Sequence, residues 1–272
     1  MRTKRRRMVV RINDFSMNYR DEGSGKPVLL IHGYPLNSKI WEPQLQGLSN
    51  TARIIAPDLR GFGESEAVDG KYPMDTLAHD CAKLLDELGV DGPVLVGGLS
   101  MGGYVAFAFY RLFRERTAGL ILAATRPGAD SAEAKANRDK SIELTRNGGA
   151  PAVASTMLPK ILSPKTYDAN PSLVARVRQI MEESSHTGII GALQGMRDRS
   201  DSTLLLQQIK CPTLIFHGAD DQIIPVNEAE AMQKAIAGSQ LEVLPKSGHL
   251  LNMEQPEMFN SKLRDFIDRV IL

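Results

Sequence analysis

The sequence predicts an α/β domain in which a mostly parallel sheet is flanked by helices, with a helical segment inserted after the sixth strand. Three observations predict it. Short continuous apolar runs such as Val28-Leu29-Leu30-Ile31 have the length and two-sided hydrophobicity of strands buried on both faces. Segments with helical spacing alternate with those runs. The pentapeptide Gly98-Leu99-Ser100-Met101-Gly102 joins one run to one such segment, which reads as strand, sharp turn and helix with a serine at the apex.

Residues 8–20 alternate loosely and read as an N-terminal strand or hairpin, closed by the turn Gly23-Ser24-Gly25-Lys26-Pro27. The run 28–31 follows. Arg53-Ile54-Ile55-Ala56-Pro57-Asp58 is a second buried strand and ends in the loop Leu59-Arg60-Gly61-Phe62-Gly63. Leu77, Ala78, Cys81, Leu84, Leu85 and Leu88 recur at helical spacing, and Gly89 is the stop. Pro93-Val94-Leu95-Val96-Gly97 is the strand before the serine turn, and 103–109 is the helix after it. Leu120-Ile121-Leu122-Ala123-Ala124 is a further strand. From Arg126 to about Thr203 the alternation stops. That stretch reads as helices broken at Gly148-Gly149, Pro151, Pro159, Pro164 and Pro171, and it carries Met157, Met181 and Met196. Strand 212–216, helix 226–237, strand 241–244 and a last helix over about 255–271 complete the pattern. The expected organisation is a basic tail and first strand at 1–20, a core at 21–125 and 204–272, and a helical cap at 126–203. In sheets of this kind binding sites form at the C-terminal ends of the strands.

Bulk properties narrow the function classes. A chain of 272 residues with 42% apolar and 24% charged content builds its own core. Net charge is +1, which argues against a nucleic-acid partner. The exception is a basic tip, Arg2, Lys4, Arg5, Arg6 and Arg7, read as a solvated tail. No run reaches the ~18 apolar residues of a membrane span. Nothing resembles a secretion signal. Cys81 and Cys211 have no paired spacing and read as free thiols of a reducing compartment, so a cytoplasmic location is expected. A homo-oligomer is left open.

The chemistry centres on Ser100. A serine needs a base, and the base an orienting acid. Of five histidines, His249 lies on the loop after the last strand, where it can reach back to the serine turn. His32 and His217 each end a strand and read as loop anchors. Asp220 and Asp221, on the loop after strand 212–216, are the candidate acids. Residues 60–63 lack the third glycine of a dinucleotide cradle, because position 66 is Glu. No cluster has metal-ligand spacing. No metal or cofactor is expected.

Five motifs fall in one order: His32-Gly33-Tyr34-Pro35, Asp58 to Ser65 as D-x-R-G-x-G-x-S, Gly98 to Gly102 as G-x-S-x-G, Gly218 to Pro225 as G-x-x-D-x-x-x-P, and Gly248-His249. Together, over residues 20–270, they resemble the α/β-hydrolase superfamily. The resemblance implies an acyl-enzyme mechanism with Ser100 as nucleophile, His249 as base and Asp221, four residues before the proline, as the acid in preference to Asp220. It implies an oxyanion hole from the main-chain N–H groups of Tyr34 and Met101. The serine sets the chain apart from relatives with an aspartate nucleophile. Among serine members it resembles small carboxylesterases and 3-oxoadipate enol-lactonase-like proteins. The expected substrate is a small-molecule carboxylic ester of small to medium acyl chain, with Arg126 and Met157 as pocket candidates. The alternatives are an enol-lactone hydrolase, a perhydrolase or cofactor-free haloperoxidase suggested by Pro35, and a non-catalytic binding protein on the same fold.

Overall fold

The computed structural model describes residues 8–270. The basic tip lies outside the described residues. Eight strands form one sheet: β1 (Met8–Ile12), β2 (Phe15–Glu22), β3 (Pro27–Ile31), β4 (Arg53–Pro57), β5 (Val94–Leu99), β6 (Thr117–Ala123), β7 (Thr213–Gly218) and β8 (Gln240–Leu244). Their order is β1-β2-β4-β3-β5-β6-β7-β8. β1, β2 and β4 pair antiparallel; from β4 through β8 all pairs are parallel. The N-terminal segment is therefore a hairpin, turned at Asn13 with φ 50°.

The apolar runs are explained by two cores, one on each face. Leu29 and Ile31 enter one core while Val28 and Leu30 enter the other. The same alternation divides Val94 and Val96 from Leu95 and Leu99. A strand covered on both sides gains by burying every side chain, so the polar alternation of a one-sided sheet is absent. Helices α2 (Met74–Glu87), α3 (Met101–Leu112) and α9 (Val226–Ala235) contribute Leu77, Phe107 and Met232 to the first core. Helices α1 (Glu42–Leu48), α10 (Leu251–Glu254) and α11 (Pro256–Arg269) contribute Leu45, Leu251 and Phe259 to the second.

Between β6 and β7 the chain builds α4 (Ala132–Ile161), α5 (Pro164–Ala169), α6 (Pro171–Glu182), α7 (His186–Arg197) and α8 (Thr203–Leu206). α4 packs on α6 and α7. The expected break at Gly148-Gly149 is present: Gly149, with φ 63° and ψ −162°, is non-helical and divides α4 into two helices that meet at a kink. Pro151 follows in the first turn after the kink, where a missing N–H is harmless. Pro164 and Pro171 open α5 and α6 in the same way. Pro159 corrects the sequence reading: it sits within α4, which runs on to Ile161. Met181 and Met196 are core packing, whereas Met157 is partly buried and touches both cores. Among the described residues no helix is long and apolar enough to cross a membrane. Both cysteines are unpaired. Burial pushes the Cys81 thiol well above its ordinary range and the Cys211 thiol up to about 11, so neither is a reactive thiolate.

Candidate active site

Ser100 separates β5 from α3 at φ 55° and ψ −113°, a backbone conformation that side chains rarely adopt. The turn is held from both sides. Its N–H donates to the Ala123 carbonyl at 2.9 Å, and its carbonyl accepts from Gly103 N at 2.9 Å and Thr125 Oγ1 at 2.8 Å. The flanking glycines are steric necessities. A Cβ on Gly98 would strike the Gly102 carbonyl, and one on Gly102 would strike that of Ile31. The Met101 N–H begins α3, where the first amides have no helical acceptor.

β3 lies beside β5, and its C-terminal loop carries Gly33 and Tyr34. An added Cβ on Gly33 would lie 3.2 Å from Ser100 Cβ, so this loop runs directly against the serine turn. Neither Tyr34 nor Met101 N–H has a main-chain acceptor among the described residues. His32 anchors the loop by bonding at both ring nitrogens: Nδ1 donates to Gly33 O at 2.9 Å, and Nε2 accepts from Leu59 N at 2.9 Å.

At the far side of the same strand edge, Asp221 follows β7 and His249 follows β8. His249 Nδ1 donates to Asp221 Oδ2 at 2.8 Å, with the two side chains 2% and 1% exposed. Asp221 Oδ1 accepts from Ile223 N at 2.8 Å and Ile224 N at 3.1 Å. Burial pushes this carboxyl up. The charge and hydrogen bond of His249 and the two amides outweigh burial and hold it below the usual carboxylate range. Asp220 is exposed and only its main chain is engaged, by Ser247 O. The choice between the two acids is therefore geometric. His217 is fully buried, donates Nε2–H to Ile224 O at 3.0 Å and braces the Asp221 loop. The last link, Ser100 Oγ to His249 Nε2, is not closed by a hydrogen bond among the described residues; such contacts often tighten only with substrate bound.

Two features escaped the sequence. Glu254 accepts from Gly248 N at 2.8 Å with one oxygen and from Ser163 N at 2.9 Å with the other. It thereby ties the His249 loop to the helical insertion, and Leu250 N→Ile161 O at 3.2 Å adds a second tie. The other feature is Asp130, whose fully buried carboxylate gathers three arginines: Arg126 at 3.1 Å, Arg138 at 3.0 Å and Arg199 at 2.7 Å. Arg126, expected from its position at the end of β6 to line the pocket, is thus partly engaged by this carboxylate. A cavity of ≈ 450 Å³ opens behind α3, lined by Tyr104, Phe107, Met74 and Arg199 among others, and by none of Ser100, Asp221 and His249.

Comparison with known proteins agrees with this architecture. A family model for the alpha/beta hydrolase fold matches residues 26–256. The solved structure of a thermophilic esterase from Thermogutta terrifontis, with malate bound, superposes with a TM-score of 0.94 at 42% identity, covering 97% of this chain and 99% of that one. The AB hydrolase superfamily protein YisY of Bacillus subtilis is 32% identical, over 90% of this chain and 93% of its own. The 3-oxoadipate enol-lactonase 2 of Acinetobacter baylyi is 29% identical, over 94% of each. With its eight-stranded sheet, its serine turn and these relatives, the chain belongs to the α/β-hydrolase superfamily, and its activity is hydrolytic.

Proposed function

We propose that the protein is a serine carboxylic-ester hydrolase acting on small to medium acyl chains through an acyl-enzyme. The observation that carries this reading is the buried Asp221–His249 hydrogen bond on the same strand edge as the strained Ser100 turn. An ionised Asp221 fixes His249 with its proton on Nδ1, so Nε2 is left as the base.

The steps follow from that arrangement. His249 Nε2 takes the hydroxyl proton as Ser100 Oγ attacks the ester carbonyl. The developing oxyanion is received by the Tyr34 and Met101 N–H groups, donors fixed before reaction and needing no reorganisation. His249 then passes its proton to the departing alcohol oxygen. Water enters, gives a proton to Nε2 and attacks the acyl carbon, and collapse returns the proton to Ser100 while releasing the acid. The helices of 126–203 act as a cap over this centre, and Met157 offers it an adaptable apolar wall.

The same machinery opens an enol-lactone. Arg126, close to the serine turn through Thr125, supports including anionic lactones among the substrates tested. The deciding experiment is a chain-length series of p-nitrophenyl esters run beside an enol-lactone, with Ser100→Ala as control. The reading expects ester turnover that falls by about 10⁴-fold or more in the variant. Equal rates in the two proteins would end it.

A further inference from the structure

The Tyr34 N–H belongs to the Gly33–Tyr34 peptide unit, and its direction is set by what holds the carbonyl of that unit. Gly33 O accepts from His32 Nδ1 at 2.9 Å and from Leu36 N at 2.9 Å. In a trans peptide the N–H points opposite to the C=O, so these two bonds turn the Tyr34 N–H away from both donors. The loop runs close to the nucleophile, since a Cβ on Gly33 would lie 3.2 Å from Ser100 Cβ. Two residues on, Pro35 O is held differently. No main-chain donor reaches it among the described residues. Its hydrogen bond comes from the helical insertion: the Ser184 hydroxyl donates to it at 2.9 Å in a buried setting. Ser184 is only 6% exposed, so little water competes for that carbonyl.

Ser184 lies in the turn 183–185 between α6 and α7, and each residue of that turn bonds a different part of the core. Glu183 accepts from Asn37 Nδ2 at 2.8 Å and pairs with Lys39 Nζ at 2.7 Å. Ser185 gives both its N–H, at 3.0 Å, and its hydroxyl, at 2.8 Å, to Gly61 O. Phe62, next in the chain, meets the rings of His32 and Tyr34 edge-on, with centroids 5.3 and 6.5 Å apart. A Cβ on Gly188 would strike Gly61 O, so α7 begins flush against that loop. The residues before and after Ser184 therefore fix the turn, and its hydroxyl reaches Pro35 O from a fixed mount.

We propose that Ser184 is a positioning residue of the oxyanion hole. Seating of the helical insertion, through the turn 183–185, sets where the Tyr34 N–H stands relative to Ser100. This rests on the acyl-enzyme reading above, in which that N–H receives the oxyanion, and adds what holds it. Such a donor acts on charge that develops in the transition state, so displacing it slows the reaction without weakening ground-state binding. Without the Ser184 hydroxyl, Pro35 O is a buried acceptor with no donor, and the loop shifts to reach one.

The test compares Ser184→Ala with wild type on a p-nitrophenyl ester, with rates expressed per phosphonate-titrated site. kcat should fall by about 10- to 100-fold, the range for a shift of up to about 1 Å in a catalytic group, with KM within about threefold. A trifluoromethyl ketone bearing the same acyl chain adds to Ser100 and places its oxygen in the hole, so its Ki should rise by the same factor as kcat falls. The corresponding secondary alcohol forms no adduct, and its Ki should not change. A mere loss of folded protein would move neither Ki. The pH dependence of kcat/KM should keep its wild-type midpoint, because Asp221 and His249 are untouched. Ser184→Thr, which keeps the hydroxyl, should recover part of the loss. Glu183→Ala loosens the same turn from a partly exposed position and should show the same paired losses, smaller in size. Unchanged kcat and ketone affinity in both alanine variants, or in Glu183→Ala where Ser184→Ala does not fold, overturns the proposal while leaving the esterase reading intact. So does an equal rise in Ki for ketone and alcohol. Failure of the wild type to turn over esters, with no labelling of Ser100 by a phosphonate, overturns the esterase reading itself.

Discussion

The Nδ1–H of His249 ends on Asp221 Oδ2 at 2.8 Å, and that carboxylate has two main-chain amides on its other oxygen and almost no water. An acid so placed orients its histidine continuously, before any substrate arrives. Asp221→Asn keeps the shape but removes the charge and invites the wrong tautomer. It should lower kcat for ester hydrolysis by about 10⁴-fold. Asp220→Asn, one residue away and exposed, should stay within about threefold of wild type, as surface changes generally do. Steady-state kinetics on both variants checks this, and a comparable loss at 220 would reassign the acid.

Glu254 is a positioning residue. Its two oxygens hold Gly248 N and Ser163 N, so one side chain fixes the residue before His249 against the helical insertion. Glu254→Ala frees that loop. A displacement of His249 by about 1 Å can cost 10²-fold, so kcat should fall by about that factor with KM changed little. Glu254→Gln retains one acceptor and should recover part of the loss. If both variants raised KM at constant kcat, Glu254 would be shaping substrate binding instead.

These two carboxylates show where legibility in the sequence ends. The acidic loop could be found because it is local, a strand followed by Gly218 and the adjacent Asp220 and Asp221, while the preference for Asp221 came from the family's spacing of four residues to Pro225. The strands were legible for a similar reason, since burial on both faces writes itself as an unbroken apolar run in β3, β5 and β7. Ser100 was marked by glycines that steric contact requires. Glu254 had no such mark, because its partners lie 6 and 91 residues away. The Asp130 cluster likewise joins positions 126, 138 and 199, which only the folded insertion brings together. Helix α1 was missed because its 7 residues include a proline at the first turn and too few turns to establish a period. Pro159 misled because a proline's effect depends on where a helix ends, and that end is set by tertiary contacts to Leu250 and Glu254.

Asp130 should govern stability in acid. Burial pushes its carboxyl up, but Arg138 and Arg199 outweigh burial and lower its pKa in the folded state. A folded pKa below the unfolded value of about 3.9 means stabilisation that is complete above that pH and lost as pH falls through the folded pKa. Asp130→Asn leaves buried Arg199 without its counter-charge and should cost about 3–5 kcal/mol at pH 7. The gap to wild type should narrow as pH drops from 5 toward 2. Urea unfolding of both proteins at pH 7 and pH 3 measures it; a gap independent of pH would refute the assignment.

Ser100 occupies φ 55°, ψ −113°, which suits glycine and strains any other residue. Strain of this kind costs of order 1–3 kcal/mol, whereas the extra freedom of glycine in the unfolded chain costs about 0.5–1 kcal/mol. The difference favours glycine by about 1 kcal/mol, which for a chain of this size is about 2 °C in Tm. Ser100→Gly should therefore melt above Ser100→Ala, although neither can form an acyl-enzyme. The comparison isolates the backbone, since both variants lack the hydroxyl and neither alters the Asp221–His249 pair. Were Ser100→Gly to melt at or below Ser100→Ala, the turn would hold no strain to release, and the position of the hydroxyl would follow from the surrounding glycines alone.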